Sequence, residues 1–214
     1  MANHKIGIPF VISGPSGSGK GMIVREILKR DSENYRLSVS ATTRQPRPGE
    51  RDGVEYYFIS RKEFEDRIAA GEVLEYTEYC GNYYGTLKSE VENLTEAGIN
   101  VILEIEIVGG NNVRRIRPDT LLFFVIPPDA DTLRKRLRGR GTESEESIEK
   151  RLARAEKEIL LAKDYDYLIV NETDRIGAAA DEIMQIVEAE KHRMRYHFDR
   201  VAHLFDPADP VGEQ

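Results

Sequence analysis

Residues 8–28, IPFVISGPSGSGKGMIVREIL, constrain this chain more than any other stretch. The apolar run Phe10, Val11 and Ile12 is that of a buried strand, and helical spacing begins at Ile23, Ile27 and Leu28. Between them lies a glycine-rich turn: Ser13, Gly14, Pro15, Ser16, Gly17, Ser18, Gly19 and Lys20. Strand, glycine-rich turn and helix start form the context that a phosphate-binding P-loop requires. Glycines let the backbone wrap until its N–H groups converge on phosphate oxygens, while the helix N-terminus and Lys20 add positive potential. The pattern GxxxxGK[ST] is incomplete, because Gly21 and then Met22 follow the lysine. A βα turn that binds nothing is the bland alternative. Three glycines and a lysine in this context favour a nucleoside polyphosphate site built from residues 14–22.

The 214 residues suffice for one sizeable core with inserted lobes. No run reaches the length of a membrane span, and residues 1–8 have no signal-peptide core, so no membrane partner and a cytoplasmic location are expected. A single cysteine, Cys80, fits a reducing compartment and is expected to be a small buried or half-exposed thiol. The formal net charge of −7 argues against nucleic acid as a partner. Arginines nonetheless gather at 44–51 and 134–154, which suggests discrete anionic ligands.

Alternation and turn residues divide the chain further. A strand is expected over 35–40, then an irregular loop over 41–49, where two prolines and a glycine break regular structure. A second strand is expected over 54–59. A helix capped by Ser60 follows and ends at Gly71, and another strand spans 72–79. Residues 81–85 read as a turn and 87–97 as a helix. Strands over 100–107, 120–126 and 167–170 alternate with helices over 131–138, 144–162 and 175–204. The expected fold is α/β: a P-loop NTPase-type parallel sheet flanked by helices, with a small mixed lobe inserted. Residues 1–40 and 96–214 would form the core, with a short lid at about 139–150, and 41–95 the lobe.

With these pieces in order, the chain resembles the guanylate kinases, within the P-loop nucleoside monophosphate kinases. The resemblance is carried by GPSGSGKG at 14–21, SVSATTRQPRPGE at 38–50, GNYYGT at 81–86, RLRGRGTESEESIEKRL at 136–152 and IVNE at 169–172. It implies transfer of the ATP γ-phosphate to GMP, with Mg²⁺ bound alongside ATP. dGMP should also serve, since no implied contact needs the 2′-hydroxyl. Ser40, Arg44, Arg47, Tyr56, Glu75, Tyr84 and Thr86 match the family's GMP-binding positions. Arginine forks suit a phosphate dianion, and one carboxylate at Glu75 can accept from both N1–H and the 2-amino group of guanine. Adenine would leave that carboxylate unpaired.

The resemblance further implies ATP contacts along residues 14–22 and at Asn171, and lid-delivered cations at Arg140 and Arg151. Lys20, Arg44, Arg140 and Arg151 are thus the expected catalytic cations. Glu104 and Glu106 are expected to end the third core strand on one face, with Glu104 toward GMP and Glu106 toward the metal, directly or through water. Glu106 stands where the family has aspartate, and Val108 where it has glutamine. Met22 and Glu106 are expected to compensate each other for the missing P-loop hydroxyl. The competing reading is a catalytically weak or inactive scaffold of the same fold. Along 175–204, Ile183, Val187, Met194, Phe198, Val201 and Phe205 suggest an apolar stripe for a homodimer.

Overall fold

The structure, a computed structural model, describes residues 6–139 and 145–202, without the side chains of Asp199 and Arg200. Arg140, the rest of the expected lid as far as residue 144, and Phe205 lie outside them. The chain begins with β1 (Pro9–Ser13), α1 (Lys20–Arg30) and β2 (Tyr35–Leu37). Two short strands, β3 (Ala41–Thr42) and β4 (Tyr57–Phe58), precede α2 (Arg61–Ala69). A hairpin of β5 (Val73–Tyr79) and β6 (Asn82–Leu87) leads into α3 (Lys88–Glu96). There follow β7 (Asn100–Glu104), α4 (Ile107–Ile116), β8 (Leu121–Ile126), α5 (Ala130–Arg138) and α6 (Glu145–Leu161). The described chain ends with β9 (Tyr167–Val170), α7 (Ile176–Glu190) and α8 (Phe198–Ala202).

Five parallel strands form the central sheet in the order β2-β7-β1-β8-β9. All five residues of β1 are buried, as a strand covered on both faces must be. Phe10 and Ile12 pack with Ile23 and Ile27 of α1 and Ile183 and Val187 of α7. Val11, between them in sequence, faces Val91 of α3, Val113 of α4 and Leu74 of β5. The chain leaves β1 toward β2 on one side and returns to β8 on the other. The loop after β1 therefore sits at the switch point of the sheet, where open α/β sheets bind ligands.

The second sheet, β4-β3-β6-β5, is mixed and is covered by Phe64 of α2, which packs with Ala41, Val73 and Leu87. Ser60 caps α2 as expected, its hydroxyl accepting from the Glu63 amide at 3.1 Å.

Five expectations about elements change. Residues 81–85 are not a turn: the turn is Cys80-Gly81, both with positive φ (49° and 74°), which lets 82–87 pair back on β5. Cys80 is exposed at that tip, where a buried or half-exposed thiol is expected from sequence. The irregular loop over 41–49 starts with β3, and the strand over 54–59 contracts to β4. The strand over 100–107 stops at Glu104, because Ile107 opens α4, a helix that its glycines and asparagines hide from propensity. Finally, the long helix over 175–204 ends at Glu190. That carboxylate is buried and accepts from Tyr167 Oη (2.8 Å) and from Arg193 Nε (3.0 Å), so the chain bends there and the stripe from Ile183 to Val201 is not one face.

Gly110 on α4 marks a close approach of a different kind. A Cβ there would lie 2.1 Å from Tyr165 Oη and 3.2 Å from Val11 Cγ1. The Tyr165 hydroxyl donates to Ser13 Oγ at 2.9 Å, and Ser13 donates to Ile105 O at 2.8 Å. Burial pushes the Tyr165 hydroxyl up to about 12, so it remains a donor. This relay ties the end of β1 to the β7–α4 corner. Gly110→Ala should displace the tyrosine, break the relay and cost about 2 kcal/mol, the ordinary penalty of overpacking plus a lost buried hydrogen bond. Thermal unfolding should fall by about 4–8 °C; an unchanged midpoint would show that α4 yields freely.

Candidate active site

The P-loop joins β1 to α1, and hydrogen bonds within the protein hold its shape. Ser18 N bonds Pro15 O at 3.0 Å, and Met22 N bonds Gly19 O at 3.0 Å. Gly19 has φ 89°, and a Cβ on it would lie 2.3 Å from Asn171 Nδ2, so two independent reasons require glycine. Asn171 donates from Nδ2 to Ser18 O at 2.8 Å, and Arg136 donates to Ser18 O (3.3 Å) and Asn171 O (2.9 Å). Lys20 folds back over the loop, with Nζ 3.2 Å from Gly14 O.

This loop forms the floor of a cleft of about 890 Å³. The cleft is also lined by Ser16, Gly21, Met22, Glu104, Glu106, Arg136, Arg151, Arg154, Asn171 and Asp174. Arg151 thus reaches the cleft from α6, while Arg134 and Arg138 pair with Glu149 and Glu145. Arg25, Arg136 and the 172–174 turn also border it, and sequence reading had assigned them nothing. Arg136 could have been found only through its contacts, since it sits among arginines of identical spacing.

The two glutamates at the β7–α4 corner separate. Glu104 ends β7 beside the P-loop: a Cβ on Gly21 would stand 3.1 Å from its Oε1. Among the described residues it forms no ion pair. Glu106 is the N-cap residue of α4, and its carboxylate lies 2.7 Å from Arg154 Nη2. The carboxylate facing the position without a hydroxyl is therefore that of Glu104, and Met22 is half-exposed on α1.

Across the corner, the second sheet brings together most of the other expected residues. Arg44 lies over the Tyr56 ring, 5.5 Å from its centroid, and Tyr56 meets Tyr84 edge-on at 5.9 Å. Glu75 on β5 accepts from Thr86 Oγ1 on β6 at 2.8 Å, while its Oε2 lies against Gly109 of α4. Burial pushes the Glu75 carboxyl above its ordinary value, against the opposing effect of the Thr86 bonds. Ser40 precedes β3, its carbonyl accepting from Tyr57 N at 2.9 Å. The Arg47 side chain is exposed. Glu50, quoted in the sequence motif without a role, holds Arg44 bidentately with both contacts at 2.9 Å.

A five-stranded parallel sheet with a P-loop at its switch point and a cleft lined by arginines defines a P-loop NTPase-type fold. A guanylate kinase family model matches residues 7–190. A guanylate kinase of Desulfitobacterium hafniense (strain Y51) is 50% identical over 193 residues, 90% of this chain and 94% of that protein. One from Streptococcus pneumoniae (strain ATCC BAA-255 / R6) is 48% identical over 184 residues, covering 86% and 88%. The crystal structure of guanylate kinase from Anaplasma phagocytophilum superposes with a TM-score of 0.68 at 29% identity, covering 96% of this chain and 98% of that one. The enzyme is of the nucleoside monophosphate kinase class. The chain belongs to the guanylate kinase family.

Proposed function

We propose that this protein transfers the γ-phosphate of ATP to GMP, and to dGMP, giving ADP and GDP or dGDP. The observation that carries this reading is Glu75. It is a half-buried carboxylate that faces α4, with Thr86 beside it and, among the described residues, no cation paired to it. Such a group is stabilised by a ligand edge with two adjacent donors, which guanine has and adenine lacks. Arg44, Arg47, Tyr56 and Tyr84 would hold the acceptor phosphate, with Ser40 beside them. Lys20 and the amides of residues 14–22 would hold the ATP phosphates, with Asn171 at the base. Arg151, and Arg140 beyond the described residues, would add charge on closure of the lid. No general base is needed, because the attacking phosphate is already ionised.

Magnesium fits the donor set. Glu104 offers a hard oxygen beside Gly21 that no arginine among the described residues claims, and phosphate oxygens and water would supply the rest. When bound, the ion would neutralise charge on the β- and γ-phosphates. Glu106, held by Arg154, would act only if that pair opened. The residues cohere as a core with a GMP-binding lobe over 41–95, working in the cytoplasm. No helix among the described residues is long and apolar enough to cross a membrane. Among the described residues past the bend, a homodimer would use Met194, Phe198 and Val201, which are exposed. A monomeric mass by sedimentation, unchanged in Phe198→Glu, would remove it.

The deciding experiment is a coupled ADP-release assay with GMP, dGMP, AMP, CMP and UMP across a magnesium titration. Turnover confined to GMP and dGMP is expected. Preference for another monophosphate would overturn the acceptor reading, and no turnover with any would favour a binding scaffold.

A further inference from the structure

We infer that Glu50 is a positioning residue for the acceptor phosphate, because it occupies one edge of the Arg44 guanidinium and leaves the other for the substrate. The inference rests on the acceptor-site reading above. An arginine carries five N–H donors in a planar fork. Arg44 Nη1 donates to Gln45 O at 2.7 Å and to Glu50 Oε2 at 2.9 Å, and Nη2 donates to Glu50 Oε1 at 2.9 Å. Three of the five donors are thereby committed. The other two, Nε–H and the second Nη2–H, point the same way along the side edge of the fork, beside the Tyr84 hydroxyl, with the spacing that two phosphate oxygens require.

Glu50 does a second thing with the same group. Its Oε2 accepts from the Arg47 amide at 2.7 Å, so one carboxylate fixes the guanidinium of Arg44 and the backbone that carries Arg47. The pair is largely shielded, with side-chain exposures of 15% for Arg44 and 19% for Glu50. Arg44 is also flanked by the Tyr56 and Phe58 rings at 5.5 and 5.7 Å. These rings limit rotation of the fork out of its plane. Hydrogen bonds from Arg44 and from the Arg47 amide hold the Glu50 carboxyl below the ordinary carboxylate range, so it remains the acceptor that this arrangement needs. Tyr84 contacts Arg44 as well, which places a hydroxyl beside the same arginine.

Calorimetric titration with GMP and with guanosine, in the absence of ATP, separates positioning from the alternatives. For Glu50→Gln the GMP Kd should rise about tenfold while that of guanosine stays within twofold, because only the phosphate contact is misaligned. The ATP KM should not move. Glu50→Gln combined with Arg44→Ala should bind GMP no more weakly than Arg44→Ala alone, since Glu50 acts through that arginine. Glu50→Asp, which keeps the charge with a shorter reach, should fall between wild type and Glu50→Gln, and it carries the test if the glutamine variant does not fold. Tighter GMP binding in Glu50→Gln would mean that the carboxylate merely stands in the phosphate seat. Equal losses for GMP and guanosine would mean a general collapse of the loop. Either result overturns the proposal. A wild type that binds guanosine as tightly as GMP would instead overturn the acceptor-site reading itself.

Discussion

Glu75→Gln is expected to lower kcat/KM for GMP by about 100- to 1000-fold and leave ATP affinity unchanged. Glutamine keeps the shape but replaces one acceptor with an amide donor. Against guanine, one charge-assisted hydrogen bond is lost and a donor is set against a donor in a half-buried site. The two penalties together are about 3–4 kcal/mol. A loss below fivefold in steady-state assays would show that guanine is read elsewhere. The same residue sets a pH dependence. Because burial raises the folded-state pKa of Glu75, the folded protein holds its proton to a higher pH than the unfolded chain does. Stability contributed by the protonated group is complete below the unfolded value of about 4.5 and is lost as pH rises through the raised folded value. GMP recognition through this carboxylate would need the ionised form and would run the opposite way. Acidification should therefore weaken GMP binding before an ordinary carboxylate would protonate, and the Glu75→Gln variant should lack that limb of the profile.

Lys20→Met should lower kcat by about 1000-fold with the fold intact. Among the described residues its ammonium makes one hydrogen bond, to Gly14 O, so little structure depends on it. In the cleft it is the only lysine among the described lining residues, and it stands at the first residue of α1, where the helix N-terminus already favours an anion. Removing a preorganised donor from a developing anion costs about 100- to 1000-fold, and a full charge belongs at the upper end. Lys20→Arg should not rescue, since a planar fork cannot take the place of a compact point charge above a tight loop. Rates within tenfold of wild type, with unchanged thermal stability, would shift the catalytic burden to the arginines.

Local signals in the sequence carried the parts of this protein that depend on neighbours in the chain. Phe10 to Lys20 announced strand, loop and helix because β1 is apolar throughout and the glycines are unambiguous. Ser60 and Glu63 announced α2 through a cap. The parts that depend on distant residues were not legible. Val108 to Asn112 have little helix propensity, and burial of Ile107, Gly110 and Val113, with Val113 packed beside Val11 and Leu74, supports α4. The hairpin turn at Cys80 was hidden because a cysteine with φ 49° carries no turn signature. Alternation placed Glu104 and Glu106 on one face, but the strand ends between them and sends them to different partners. Glu50 lay inside a quoted motif, yet its grip on Arg44 is a matter of geometry that spacing does not encode.

The bonds among Ser18, Asn171 and Arg136 connect three segments that are far apart in the chain and that meet at the back of the P-loop. A loop held in this way has already lost its backbone freedom when the protein folds. The entropy of shaping the phosphate cradle is charged to the folding equilibrium and does not recur in each catalytic cycle. The next nucleotide would then meet a loop that is already shaped. The same economy makes the cradle sensitive to faults elsewhere: a lesion in α5 or in the turn after β9 would appear in kinetics as weakened phosphate binding, although no altered atom touches the nucleotide.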